Sequence, residues 1–119
     1  MTIKVMIVDD DPVIRTLISE IILNTGNQVE TCENGATCLS HLENEIPDLL
    51  VLDLQMPDMT GMDVLERIRN NPKIQSLPVV LLSANSDSAI VQNNAAKADH
   101  VLQKPFNVRD FISLITQFS

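Results

Sequence analysis

Residues 3–26 read IKVMIVDDDPVIRTLISEIILNTG. The first six, Ile3–Val8, form a short apolar run broken only by Lys4, the length of a strand rather than of a helix. Three aspartates follow, then Pro12, whose fixed φ and missing N–H suit the first helical position, with Asp11 as the cap before it. From there Val13, Ile14, Leu17, Ile18 and Ile21 recur at helical spacing and are expected to form the buried stripe of a helix running to about Thr25. Gly26 is placed to end that helix in a left-handed conformation. A strand, an acidic turn and a helix make one βα unit.

The rest of the chain repeats the unit. Gln28–Cys32 is a weaker strand, and a helix over Ala36–Asn44 follows with Leu39 and Leu42 inward. Pro47 separates it from the strand Leu49–Leu52. After the turn Met56–Pro57–Asp58, Thr60 with Asp63 three residues on reads as a capping box, and Val64, Leu65 and Ile68 supply the inward stripe of a third helix that Pro72 closes. Val79–Leu82 is a fourth strand. A fourth helix is expected within Ser86–Ala98, a fifth strand at about His100–Gln103, and a last helix from Asn107 onward. In that last helix Val108, Phe111, Ile112 and Ile115 are expected to face the core, with Leu114 and Phe118 at the edge.

The runs Ile3–Val8, Leu49–Leu52 and Val79–Leu82 are almost wholly apolar, as parallel strands covered on both faces must be, whereas the second and fifth are more polar and suit sheet edges. Right-handed crossovers then favour a single doubly wound α/β domain over residues 1–119, a (βα)5 fold with a five-stranded parallel sheet in the order 2-1-3-4-5. Its ligand crevice lies beyond the carboxyl ends of the first and third strands.

Composition narrows the function. The chain has 119 residues, 45% hydrophobic, and a net charge of −8. That acidity opposes direct binding to nucleic acid or to anionic lipid. No apolar run approaches the ~20 residues of a membrane helix, and the start from Met1 shows no secretory signal, so a cytoplasmic location is expected. Three glycines in all exclude the glycine-rich nucleotide loops. Cys32 and Cys38 are too few for a disulfide framework and read as reduced packing residues.

The first residues after the strands are Asp9 and Asp10, then Asp53, Ser83 and Lys104. Converging on one crevice, three carboxylates and one ammonium would carry a charge of −3 + 1 = −2 and would raise a pKa or recruit a cation. Oxygen-only ligands suit Mg2+, which keeps several waters and accepts phosphate oxygens. Asp53, at the tip of a central strand, is the candidate nucleophile, with Ser83 and Lys104 placed to hold the other oxygens of a phosphoryl group.

These residues lie in the stretches I-V-D-D, L-V-L-D-L-Q-M-P-D-M-T-G, L-L-S-A and Q-K-P-F. In that order and spacing they resemble the response-regulator receiver family of two-component signalling, the CheY-like members of the flavodoxin-like folds, over the whole chain. The resemblance implies that Asp53 is the phosphoacceptor, Asp10 a direct Mg2+ ligand, Asp9 an acidic partner acting through water, and the backbone carbonyl of Gln55 a further ligand. It implies the family's hydroxyl position at Ser83, its phosphoryl-binding lysine at Lys104, and a cis bond at Lys104–Pro105. It further implies a phosphoacceptor that assists its own phosphorylation and dephosphorylation rather than an enzyme. Its partners would be a sensor histidine kinase or histidine phosphotransfer protein and a downstream effector protein or output domain. A homodimer or partner face would lie on the fourth helix, fifth strand and last helix.

Two positions depart from the family pattern. Val101 stands where an aromatic usually switches rotamer with the hydroxyl residue, and Lys97 replaces a common glycine. Of the competing functions, a magnesium-dependent phosphatase with an aspartyl nucleophile lacks its second carboxylate, because Gln55 stands two residues after Asp53. A flavodoxin-like electron carrier lacks Trp and Tyr to stack on a flavin. A pseudo-receiver that only binds partners is opposed by the complete acidic set.

Overall fold

The computed structural model describes residues 2–84 and 98–118. Five strands, β1 (Lys4–Val8), β2 (Gln28–Cys32), β3 (Leu49–Asp53), β4 (Val79–Ser83) and β5 (His100–Gln103), form one sheet in the order β2-β1-β3-β4-β5. Every neighbouring pair is parallel. The helices among the described residues are α1 (Pro12–Asn24), α2 (Gly35–Asn44), α3 (Gly61–Arg69) and α4 (Val108–Gln117). The expected helix within Ser86–Ala98 lies outside the described residues, save for Ala98, and so does Lys97.

Side chains alternate across a strand, and that period of two divides the core. Val5, Ile7, Leu49, Val51, Val80 and Leu82 face one side and pack with α1 and α4. Met6, Val8, Leu50, Leu52, Val79 and Leu81 face the other and pack with α2 and α3. Both faces of the central strands are dry, and burying each large aliphatic side chain contributes ~1.5–3 kcal/mol. The edge strands β2 and β5 keep exposed residues, as expected.

Local chemistry sets the helix ends. The Asp11 carboxylate accepts the N–H of Val13 to start α1, and Gly26 closes it at φ 85°. Asn34 accepts the N–H of Thr37 at the head of α2. Thr60 and Asp63 form the expected capping box of α3, and Asn107 caps α4.

Two stripes match their expected faces in part: Ile14, Ile18 and Ile21 on α1 and Phe111, Ile112 and Ile115 on α4 pack on the core, but other members do not. On α1, Ile18, Ile21 and Ile22 are buried, whereas Val13 is 71% and Leu17 46% exposed. This helix carries apolar residues around most of its circumference, so its contacts with β1, β2 and α4 choose the inward arc. On α4 the buried residues are Phe111, Leu114 and Ile115, while Val108 is 48% exposed. Phe111, stacked on Phe106 with ring centroids 5.6 Å apart, anchors the helix and turns Leu114 inward.

Met56, Met59 and Met62 pack on the α2–α3 side of the core, and so does Val101, half-buried on β5. Cys32 and Cys38 are free and buried, and burial pushes their thiols up to about 11 and about 12, so neither is a nucleophile at neutral pH.

Candidate functional site

Because the strands are parallel and in register, their carboxyl ends meet along one edge of the sheet. Asp9 follows β1 directly, Asp53 ends β3, Ser83 ends β4 and Lys104 follows β5. The pairing of β1 with β3, where the chain direction across the sheet reverses, sets Asp9 beside Asp53. Backbone bonds carry the ladders past the strand ends: the Leu54 N–H donates to the Leu82 carbonyl at 3.0 Å and the Lys104 N–H to the Ser83 carbonyl at 2.6 Å. The Lys104–Pro105 bond is cis.

Asp9 is held on every side. Its Oδ1 accepts the Asp11 N–H at 2.9 Å, its own N–H donates to the Cys32 carbonyl at 3.2 Å, and its carbonyl accepts Arg15 Nη1 at 2.7 Å. Lys104 Nζ bridges the two buried carboxylates, 3.3 Å from Asp9 Oδ2 and 3.2 Å from Asp53 Oδ1. Asp10 is exposed at the mouth. Carboxylate oxygens of Asp9, Asp10 and Asp53 lie within 4.8 Å of one another. A cleft of about 320 Å³ opens over them, lined by these three with Asp11, Gln55, Ala84 and Lys104. Ser83 is buried at the end of β4, and Ala84 forms the cleft wall there.

Opposite charges ~3 Å apart attract by ~5 kcal/mol at an effective dielectric of ~20. One ammonium therefore offsets one buried carboxylate and leaves the other uncompensated. The consequence falls on Asp53, whose carboxyl is pushed up to about 6, first by burial and then by Asp9. Lys104 and the Gln55 N–H pull it back only in part. For Lys104 burial alone lowers the pKa, but Asp53 and Asp9 together outweigh it and raise the pKa above the usual lysine value. Three hard oxygen donors around a half-open cleft with surplus negative charge fit Mg2+, and they offer no soft ligand to favour another metal.

The structure thus brings together Asp9, Asp10, Asp53, Gln55 and Lys104 around the cleft, and leaves Ser83 buried at the end of β4. Reading the sequence alone missed Arg15, which braces the Asp9 carbonyl from the first turns of α1, and Ala84. Arg15 follows Asp9 by six residues, but nothing in that spacing shows a guanidinium returning to a backbone carbonyl. Asp58, which the sequence suggests as a turn or cap residue, is a cap, and the helix it caps lies earlier in the chain: both of its oxygens accept N–H groups at the head of α2.

A sequence model of the response regulator receiver domain matches residues 5–116. Among curated proteins the chain is 32% identical over 112 residues to the probable transcriptional regulatory protein TcrX of Mycobacterium tuberculosis, covering 92% of this chain and 47% of that protein. It is 35% identical over 112 residues to the DNA-binding transcriptional regulator NtrC of Escherichia coli K12, covering 93% of this chain and 24% of that protein. The chain therefore spans about half the length of these curated relatives, or less. Among solved structures, the chemotaxis response regulator CheY4 of Vibrio cholerae superposes with a TM-score of 0.90 at 27% identity, covering 100% of both chains.

Proposed function

We propose, from the premise that this chain belongs to the response regulator receiver family of two-component signalling, that Asp53 is its phosphoacceptor and that Asp9, Asp10, Asp53 and the Gln55 carbonyl hold a Mg2+ ion. The observation that carries this reading is the bridge of Lys104 between the carboxylates of Asp9 and Asp53, at the mouth of a cleft with negative charge to spare.

In the reaction an oxygen of the Asp53 carboxylate attacks phosphorus. A P–O bond forms, the P–N bond of a phosphohistidine donor breaks, and the released imidazole takes a proton from solvent. Bound Mg2+ supplies the positive charge that shields the approach of one anion to another. Lys104, already within hydrogen-bond reach of Asp53, moves its contact to a phosphoryl oxygen as the carboxylate charge is spent. Ser83, at the end of the adjacent strand, senses the occupied site. Hydrolysis of the acyl phosphate resets it, so the domain is a switch that assists its own phosphorylation and dephosphorylation and not an enzyme with an external substrate.

The donor is a histidine kinase or histidine phosphotransfer protein, and the phosphorylated domain acts on an effector or output domain. We assign that contact, or contact with a second copy, to the face of the helix expected within Ser86–Ala98, β5 and α4; Val101, on β5, replaces the usual aromatic. A cytoplasmic location fits this role. No helix among the described residues is long and apolar enough to cross a membrane.

The decisive experiment is incubation with acetyl phosphate and Mg2+ followed by intact-mass measurement. Wild type gains one phosphoryl group and Asp53→Asn gains none; equal labelling of the two, or labelling that survives a chelator, overturns the assignment.

A further inference from the structure

The loop that carries Asp53 into α3 is fastened to another helix by one side chain. Asp58 Oδ1 accepts the N–H of Gly35 at 3.1 Å and Oδ2 accepts that of Ala36 at 2.9 Å. N–H groups in the first turn of a helix have no partner within it. In α2 the one on Thr37 is met by the helix's own cap, Asn34, and the two before it are met by Asp58. The bonds lie at the positive end of the helix and are charge-assisted. The Ala36 N–H foremost holds the Asp58 carboxyl below its ordinary range.

Packing seals the same junction. A Cβ on Gly35 would lie 2.4 Å from Cγ of Met59, so the residue after Asp58 occupies space that only glycine leaves open. At the far end of the loop the Gly61 N–H donates to the Leu54 carbonyl at 2.8 Å. Gln55 lies between these anchors, lining the cleft, and its N–H donates to the Asp53 carboxylate.

We propose that Asp58 is a positioning residue for the divalent cation: by pinning the loop to the head of α2, it holds Gln55 against the Asp9, Asp10 and Asp53 cluster. The inference rests on the reading of that cluster as a cation site and extends it to a side chain outside the cleft. A cap that merely stabilised α2 would have no such effect, and Asn34 provides the comparison, because it caps the same helix through bonds to that helix's own N–H groups.

The test is Mg2+ titration of the full chain followed by amide NMR shifts, with thermal unfolding in parallel. Outer partners of metal ligands typically change affinity by at least about tenfold, so Asp58→Ala is expected to weaken Mg2+ about tenfold. Asp58→Asn keeps one acceptor oxygen and falls between that variant and wild type; it also serves if Asp58→Ala does not fold. Asn34→Ala lowers the melting temperature comparably but leaves the Mg2+ affinity within about twofold of wild type, as distant sites usually do. Wild-type affinity in both Asp58 variants, or equal losses in Asp58→Ala and Asn34→Ala, overturns the proposal. Asp10→Asn separates the two readings: if it binds Mg2+ poorly while Asp58→Ala binds normally, only the role of Asp58 fails, and if wild type binds no Mg2+, both fail.

Discussion

Gly61 lies directly against the backbone of Asp53: a Cβ built on it would sit 2.4 Å from the Asp53 carbonyl oxygen and 2.9 Å from the Leu54 Cα. The obstacle is main chain, which cannot swing aside as a flexible side chain can. Overpacking of this kind typically costs ~1–3 kcal/mol. Gly61→Ala is therefore expected to lower unfolding free energy by about that amount in urea titrations, and also to slow labelling by acetyl phosphate, because relief requires Asp53 to move. A variant as stable and as reactive as wild type would show that the β3–α3 junction yields freely.

The raised pKa of Asp53 gives stability a defined pH dependence. Its folded value of about 6 lies above the ordinary 3.8, so between these values the folded chain binds more protons than the unfolded one. Without metal, the contribution of Asp53 to stability is fully present below pH ~4 and is lost as pH rises through ~6. Asp53→Asn removes the charge, so at pH 7.5 it is expected to exceed wild type by ~1–3 kcal/mol, with the gap closing toward pH 4. Mg2+ favours the ionised carboxylate and should flatten the wild-type profile. A metal-free wild type as stable as Asp53→Asn at pH 7.5 contradicts the account.

Lys104→Met should act in the opposite sense. The ammonium lies between two buried carboxylates, and removing one member of such a cluster leaves charge uncompensated at a cost of up to ~3–5 kcal/mol, less here because Lys104 keeps some solvent contact. The loss is expected near pH 7 without metal, to shrink on adding Mg2+, and to shrink again as Asp53 takes up a proton below its pKa of about 6. Denaturant titrations at pH 4 and pH 7, with and without Mg2+, separate these effects. A pH-independent loss would mean that the lysine stem, not its charge, is what stabilises the fold.

On α1 the two apolar arcs make a sharp contrast. Ile18→Ala leaves a cavity in the core and is expected to cost ~2–5 kcal/mol. The exposed Val13 and Leu17 should tolerate replacement by Ser within ~0.5 kcal/mol. Comparable losses at Leu17 and Ile18 in thermal melts would show that α1 is turned toward the face expected from its spacing alone.

The order of the sheet and the line of residues along its carboxyl edge are legible in the sequence by itself, for a physical reason. A parallel strand covered on both faces must be apolar throughout, and Ile3–Val8, Leu49–Leu52 and Val79–Leu82 carry that requirement openly. Chirality and crossover rules then leave few ways to order five strands, so spacing alone places Asp9, Asp10, Asp53, Ser83 and Lys104 along one edge. Caps at Asp11 and Thr60 are readable because they act within three residues. The tertiary structure alone decided what depends on contacts between segments distant in sequence. Periodicity fixes the spacing of a stripe but not its rotation when a helix is apolar nearly all round, so packing chose Ile22 over Val13 on α1 and Leu114 over Val108 on α4. Asp58 reaches N–H groups more than 20 residues earlier, and the ammonium of Lys104 meets Asp9 across 95 residues of sequence. No local pattern encodes those distances, because they come into being only when the sheet has closed.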